Sequence, residues 1–120
     1  MYTIIRFIVD KDKILLLDQI GLSMNKLKDN VYSGIRRAGD GFTCELSSDL
    51  DWDLHRKSII EFLKIFFHQV AEINQLPGAV TVDVAIEPED IQNIPKVLHC
   101  DLELLSMLVS CGVKLELSIY

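Results

Sequence analysis

A chain of 120 residues has the length of one domain, and folding at this size removes about two-thirds of the surface from water, enough for a core without metal or disulfide staples. Hydrophobic residues make up 49% and charged residues 25%, which excludes a disordered tail and a low-complexity linker. Eighteen acidic against twelve basic residues give a formal charge of -6; a nucleic-acid binder concentrates Lys and Arg to displace counterions from phosphates, and here the only adjacent arginines are Arg36 and Arg37.

The first predicted element is a strand over residues 2–9, β-branched and aromatic, interrupted by Arg6 and ended by Asp10. Being apolar at nearly every position, it reads as covered on both faces or central in its sheet. Asp10 or Asp12 can cap a helix carrying Ile14, Leu15, Leu17 and Ile20, stopped at Gly21. Residues 22–41 are the least regular stretch, with turn chemistry at Asn30, Gly34 and Gly39-Asp40-Gly41. Phe42, Cys44 and Leu46 alternate with polar neighbours, and Leu50, Trp52 and Leu54 do so again after Ser47-Ser48-Asp49. That pattern predicts two short strands, most simply a hairpin, or one interrupted strand, with one apolar face.

A long helix is predicted from Ser58, where Ser58-Ile59-Ile60-Glu61 has the form of a capping box. At 100° per residue, Ile59, Ile60, Phe62, Leu63, Phe66, Phe67, Val70 and Ile73 cover an arc of roughly 160°, opposite Glu61, Lys64, His68, Glu72 and Gln75. A stripe that wide needs a sheet to lie on. Pro77-Gly78 ends the helix. In the next strand Val80, Val82, Val84 and Ile86 face one way and Thr81, Asp83 and Glu87 the other. After a loop through Glu87-Pro88-Glu89-Asp90 and Ile94-Pro95, Asp101 can cap a last helix bearing Leu102, Leu105, Leu108 and Val109, with Gly112 at its left-handed C-terminal position. Val113, Leu115, Leu117 and Ile119 then alternate with polar residues in a final strand paired within the sheet. The order implies a single α+β domain over residues 1–120, a layered sandwich with one mainly antiparallel sheet of about five strands and two or three helices packed on it.

Among chemistry-bearing residues, His68 lies on the polar stripe of its helix, four residues before Glu72. His99-Cys100-Asp101 resembles a ligand cluster, but adjacent residues on an extended chain point opposite ways, and a buried Cys100 with a capping Asp101 explains the same letters. Cys44 and Cys111 fall at inward positions, where thiols are inert. Neither a phosphate loop nor a nucleophile elbow occurs, so neither an enzyme, a metal nor a cofactor is expected. Three cysteines without CxxC spacing point to a reducing compartment. With neither a basic, cleavable leader nor an apolar run of about eighteen residues, the chain reads as cytoplasmic and not membrane-bound.

The acids are more suggestive as a group. Asp49, Asp51 and Asp53 alternate opposite Leu50, Trp52 and Leu54, and three carboxylates on one side of a strand repel one another. Further acids stand at Glu87, Glu89 and Asp90. Together they form either a solvated face that keeps the protein soluble or a surface for a cationic protein partner. Ile65, projecting from the polar side of the long helix, could assist such a surface.

The Leu17-Asp18-Gln19-Ile20-Gly21-Leu22 turn, the Gly39-Asp40 step, Trp52-Asp53-Leu54 and the ending Cys111-Gly112-Val113-Lys114-Leu115-Glu116-Leu117-Ser118-Ile119-Tyr120 resemble an uncharacterised bacterial family, a domain of unknown function of about this length. That family supplies no active-site residues. Small acidic domains of this kind are similar in character to the immunity proteins of contact-dependent growth inhibition and polymorphic toxin systems, which bind a cognate toxin domain, often a nuclease, and cover its active site. The first expectation is therefore an immunity protein using Asp49, Asp51, Asp53, Glu87, Glu89, Asp90 and Ile65 against a basic toxin, with no direct nucleic-acid contact. The alternatives are a small-molecule-binding or enzymatic domain with a pocket near Arg36, Arg37, Trp52 and His55, and a homo-oligomer, such as a homodimer, joined through the first strand or the last helix.

Overall fold

The computed structural model describes residues 1–8, 33–38, 41–74, 79–94 and 96–120. They form five strands, β1 (Tyr2–Ile8), β2 (Ser33–Ala38), β3 (Gly41–Ser48), β4 (Val80–Ile86) and β5 (Lys114–Ile119), with three α-helices, α1 (Trp52–Ile65), α2 (Phe67–Ile73) and α3 (Leu102–Cys111). The strands make one sheet in the order β2-β3-β1-β4-β5. Every neighbouring pair is antiparallel except β4 and β5, whose parallel pairing requires a crossover; the segment containing α3 provides it. The expected α+β architecture is thus the one observed.

The apolar β1 takes the centre, paired with β3 on one side and β4 on the other. On the face covered by helices, Ile5, Phe7, Cys44, Leu46, Val80, Val82 and Val84 are buried against Ile59, Phe62, Leu63, Phe66, Val70, Leu104 and Leu108. The inward positions of Cys44 and Cys111 are as expected. β4 is also buried on its second face, at Asp83 and Ala85. Asp83 accepts hydrogen bonds from Arg6 Nη2 on β1 and from Ser118 Oγ on β5, the latter at 2.7 Å. One carboxylate therefore ties three strands together.

Three expectations are corrected. Residues 50–54 are not a strand: Asp51 caps α1, its side chain accepting from the Asp53 amide at 2.9 Å, and the helix begins at Trp52. Local side-chain bonds to the backbone compete with strand pairing in this way. Ser58 consequently lies inside the helix and starts nothing. The long helix is also broken at Phe66, which leaves helical geometry at φ -106°, ψ 24° and buries its ring 4.9 Å from that of Phe62. The predicted apolar stripe survives the break, because Ile59, Ile60, Phe62, Leu63, Phe66, Val70 and Ile73 are all buried while Glu61, Lys64, His68 and Glu72 are exposed. The third correction concerns residues 33–38, assigned to the irregular stretch but forming β2. The predicted helix at Ile14–Ile20, the Gly39-Asp40 turn residues, Gln75 and Pro77-Gly78 lie outside the described residues.

Asp101 caps α3 by accepting from the Leu104 amide at 2.9 Å, and Gly112 ends it at φ 65°, both as expected. A β-carbon at Gly112 would stand 2.6 Å from Asn74 Nδ2, the group that donates to the Cys111 and Gly112 carbonyls. Gly112→Ala should therefore cost about 2 kcal/mol, the left-handed conformation and the crowded amide both contributing; urea titration would measure it.

Candidate functional site

Antiparallel register decides which acids meet. Tyr2 pairs with Ser48 of β3 and with Ala85 of β4, so the end of β3, the beginning of β1 and the end of β4 lie at one end of the sheet. Asp49 follows the first, Met1 precedes the second, and Glu87 to Asp90 follow the third. The Asp49 amide donates to the Met1 carbonyl at 3.1 Å, and the Met1 ammonium donates to Asp90 Oδ2 at 2.5 Å. Met1, Ser48, Asp49, Leu50 and Asp90 line an open cleft of about 400 Å³.

Each carboxylate there has a local reason for its state. Asp49 Oδ1 accepts from the amides of Leu50 and Asp51 at 2.7 and 2.9 Å. These bonds to the charged form hold its pKa below the ordinary carboxylate range. Glu87 is displaced upward, first by a side-chain hydrogen bond with Glu89 and then by that neighbour's charge. Glu89 is exposed, on the 3₁₀ turn Pro88–Asp90. The end of the sheet thus carries four acids, of which Asp90 bonds the Met1 ammonium.

The expected site is only partly assembled. Asp49, Glu87, Glu89 and Asp90 lie at the same end of the sheet, but Asp49, Asp51 and Asp53 do not share a strand face; they occupy a turn, a helix cap and a first helical turn. Asp51 is committed to capping. Asp53 accepts from Arg56 at 2.8 Å and pairs with Lys57 at 2.9 Å, and these bonds lower its pKa. Ile65 is exposed as expected, but it lines a different groove with Ile60, Arg56, Lys57, Lys64 and Glu103, where Lys64 and Glu103 link α1 to α3 at 3.1 Å.

The alternative pocket near Trp52 and His55 is not where the described clefts lie. Both side chains are buried, and Trp52 Nε1 donates to the His99 carbonyl at 2.7 Å. His55 Nε2 lies 2.9 Å from the Asp49 carbonyl and Nδ1 lies 2.8 Å from Thr3 Oγ1. A carbonyl only accepts, so Nε2 carries the proton and Nδ1 accepts from the Thr3 hydroxyl. The neutral ring is satisfied on both sides, and it pins the turn at Asp49 to β1. The side chains of Arg36 and Arg37 are outside the described residues.

Burial pushes the His55 pKa down from 6.5, against the opposing pull of the Asp49 carbonyl. In the unfolded chain the ring protonates as pH falls through about 6.5, whereas the folded protein resists. Stability contributed by the neutral ring is therefore complete above that pH and lost below it, until the folded pKa is passed. His55→Gln should flatten this part of the stability-pH curve, which denaturant midpoints taken on either side of pH 6.5 would show.

Other chemistry is sparse. Burial raises the Cys44 thiol to about 12, while Cys100 is exposed rather than buried as expected, because the chain before Asp101 runs over the surface. Among the described residues no three His, Cys, Asp or Glu side chains converge as metal ligands, and no helix is long and apolar enough to cross a membrane. The Met1–Asp90 bond and the Asp83 network were not foreseen. The second had a signal: Arg6 and Asp83 are the lone charges in their strands, and opposite charges in adjacent buried strands invite pairing. Comparison with family models, curated proteins and solved structures finds no match to this chain.

Proposed function

We propose that this chain is a protein-binding module whose acidic end docks on a cationic protein surface, acting as an immunity protein that neutralises a cognate bacterial toxin domain by covering its active site. The observation that carries the reading is that Asp49, Glu87, Glu89 and Asp90 lie at one end of the sheet, where Asp49 and Asp90 line an open cleft and Glu87 and Glu89 stand on the adjoining turn. A nuclease is the toxin class favoured by this chemistry, since a surface that grips phosphates is positively charged and the clustered carboxylates can occupy the same positions. Long-range attraction accelerates encounter, and a few desolvated contacts then set the lifetime of the complex. The action is stoichiometric and uses neither cofactor nor catalytic residue, in the bacterial cytoplasm. Asp49 and Asp90 frame the cleft; Glu87 and Glu89 supply charge that the fold does not need.

The test is a toxin domain encoded beside the gene for this chain, titrated at low salt. Glu87→Lys with Glu89→Lys should slow association about tenfold, and added salt should shrink the difference, while the unfolding midpoint stays unchanged. Equal association rates for the double variant and the original protein would remove the acidic end from the interface.

A further inference from the structure

The strand order leaves β5 at an edge of the sheet, and among the described residues nothing pairs with its outer side. Its exposed side chains are unusual for a free edge. By register, Leu115, Leu117 and Ile119 share the helix-covered face with Val82, Val84 and Ile86, yet cover is lost along the strand: Val113 is buried, whereas Leu117 is 56% and Ile119 66% exposed. Edge strands are usually blunted by charge, bulges or shortness.

The helix above this edge has the same character. α1 packs over β1 and β3 and holds α3 through Arg56–Asp101 and Lys64–Glu103. Only Gly112 and Val113 separate α3 from β5. At 100° per residue, the buried Leu104, Leu108 and Cys111 point about 110° away from Glu103, and Leu102, Leu105 and Val109 a further ~130° round. That second stripe faces away from α1, toward the side on which β5 is free, and Leu102 and Val109 are 82% and 79% exposed. Strand and helix thus present one apolar, two-layered side wall.

We infer that this wall is the interface of a two-fold homodimer, in which β5 pairs antiparallel with β5 of a second copy and α3 packs beside its counterpart. The backbone fixes the pairing phase. The Tyr120 amide donates inward to the Ile86 carbonyl at 3.1 Å, so the odd-numbered residues of β5 turn their N–H and C=O groups outward. Antiparallel pairing through those groups sets odd residues opposite odd ones. A register centred on Glu116 places two Glu116 carboxylates face to face, which is unfavourable; one centred on Leu115 leaves Ile119 uncovered. The register centred on Leu117 does neither. It sets Leu117 against Leu117, Leu115 against Ile119, Glu116 against Ser118 and Lys114 against Tyr120 of the second copy, with every exposed apolar residue of the strand matched and no like charges opposed. Seven paired residues extend about 24 Å, and two layers of about 10 Å each give a wall of roughly 480 Å² per copy. That is below the ~800 Å² of a standard interface, so the dimer dissociates on dilution.

The inference is independent of what the acidic end binds. Sedimentation over a concentration series should show the average mass rising from 13.7 kDa toward twice that value. Val109→Glu with Leu117→Glu, both at exposed positions, should hold the protein at the monomer mass with an unchanged far-ultraviolet spectrum. Leu117→Cys in a Cys100→Ser background should oxidise to a covalent dimer, because hydrogen-bonded antiparallel partners lie about 5.5 Å apart at Cα, within disulfide reach. Ile119→Cys in the same background should not, since its counterpart is four residues away. A monomer at millimolar concentration, as expected if a strand of another protein occupies the edge, would overturn the inference. So would a dimer that survives both glutamates, or an Ile119→Cys variant that cross-links as readily as Leu117→Cys.

Discussion

Phe62→Ala should lower the unfolding free energy by about 4 kcal/mol, the range for truncating a fully buried aromatic residue. The thermal midpoint should fall by roughly 15 °C for a chain of this size. Phe62 is wholly inaccessible in the last turn of α1, with its ring 6.3 Å from that of Phe7 on the central strand and 4.9 Å from that of Phe66. It therefore joins the sheet, the helix and the helix break, and no neighbour can collapse into its space without moving all three. Ile65→Ala, three residues along the same helix but nearly half exposed, should change stability by no more than about 0.5 kcal/mol. Thermal or urea unfolding of the two variants would make the comparison.

Removing Arg6 should be nearly as damaging, for an electrostatic reason. Asp83 is fully buried, and its described partners are Arg6 and the Ser118 hydroxyl. Arg6→Met would leave a buried carboxylate with one neutral donor, at a cost of about 3 kcal/mol. The guanidinium is partly exposed, so the opposite deletion is milder: in Asp83→Asn the freed arginine can turn to water, and a loss of about 1 kcal/mol is expected. The asymmetry distinguishes a desolvated carboxylate from a simple surface ion pair. Arg6→Met with Asp83→Val should recover part of the loss, because an apolar pair leaves no uncompensated charge. A double-mutant cycle in urea would reveal this ordering, and equal costs for the two single changes would contradict it.

How much of this was legible in the sequence depended on whether local and tertiary signals agreed. β1 is dense in β-branched and aromatic residues, β4 and β5 alternate apolar with polar positions, and α3 carries both a capping aspartate and Gly112; all were readable. Residues 50–54 were misread because Leu50, Trp52 and Leu54 alternate by coincidence. Trp52 is buried as the first residue of a helix whose inward row continues through His55 and Ile59, at intervals of three and four, whereas Leu50 and Leu54 are exposed. The aspartates between them were the better signal, since Asp49 and Asp51 both bond to nearby amides. The break at Phe66 has neither proline nor glycine to announce it.

The acidic end shows the same division. The acids at 49 and at 87–90 could be named from the sequence, but their meeting is a consequence of strand order, which places the ends of β3 and β4 on either side of Met1. Once α1 begins at Trp52, Asp51 and Asp53 acquire structural duties that a strand would not have given them. Ile65 belongs to another groove. Of the seven residues, Asp49, Glu87, Glu89 and Asp90 thus share one end of the sheet, and Asp49 and Asp90 line the cleft there.

Amide hydrogen exchange of this chain alone and in complex with the toxin domain proposed as its partner addresses that surface most directly. Binding through the acidic end should slow exchange at Asp49–Leu50 and from Glu87 to Ile91, while leaving the groove beside Ile65 and Lys64 unchanged. Protection confined to that groove, with the amides around Met1 and Asp90 exchanging as in the free protein, would place the partner elsewhere and contradict the account.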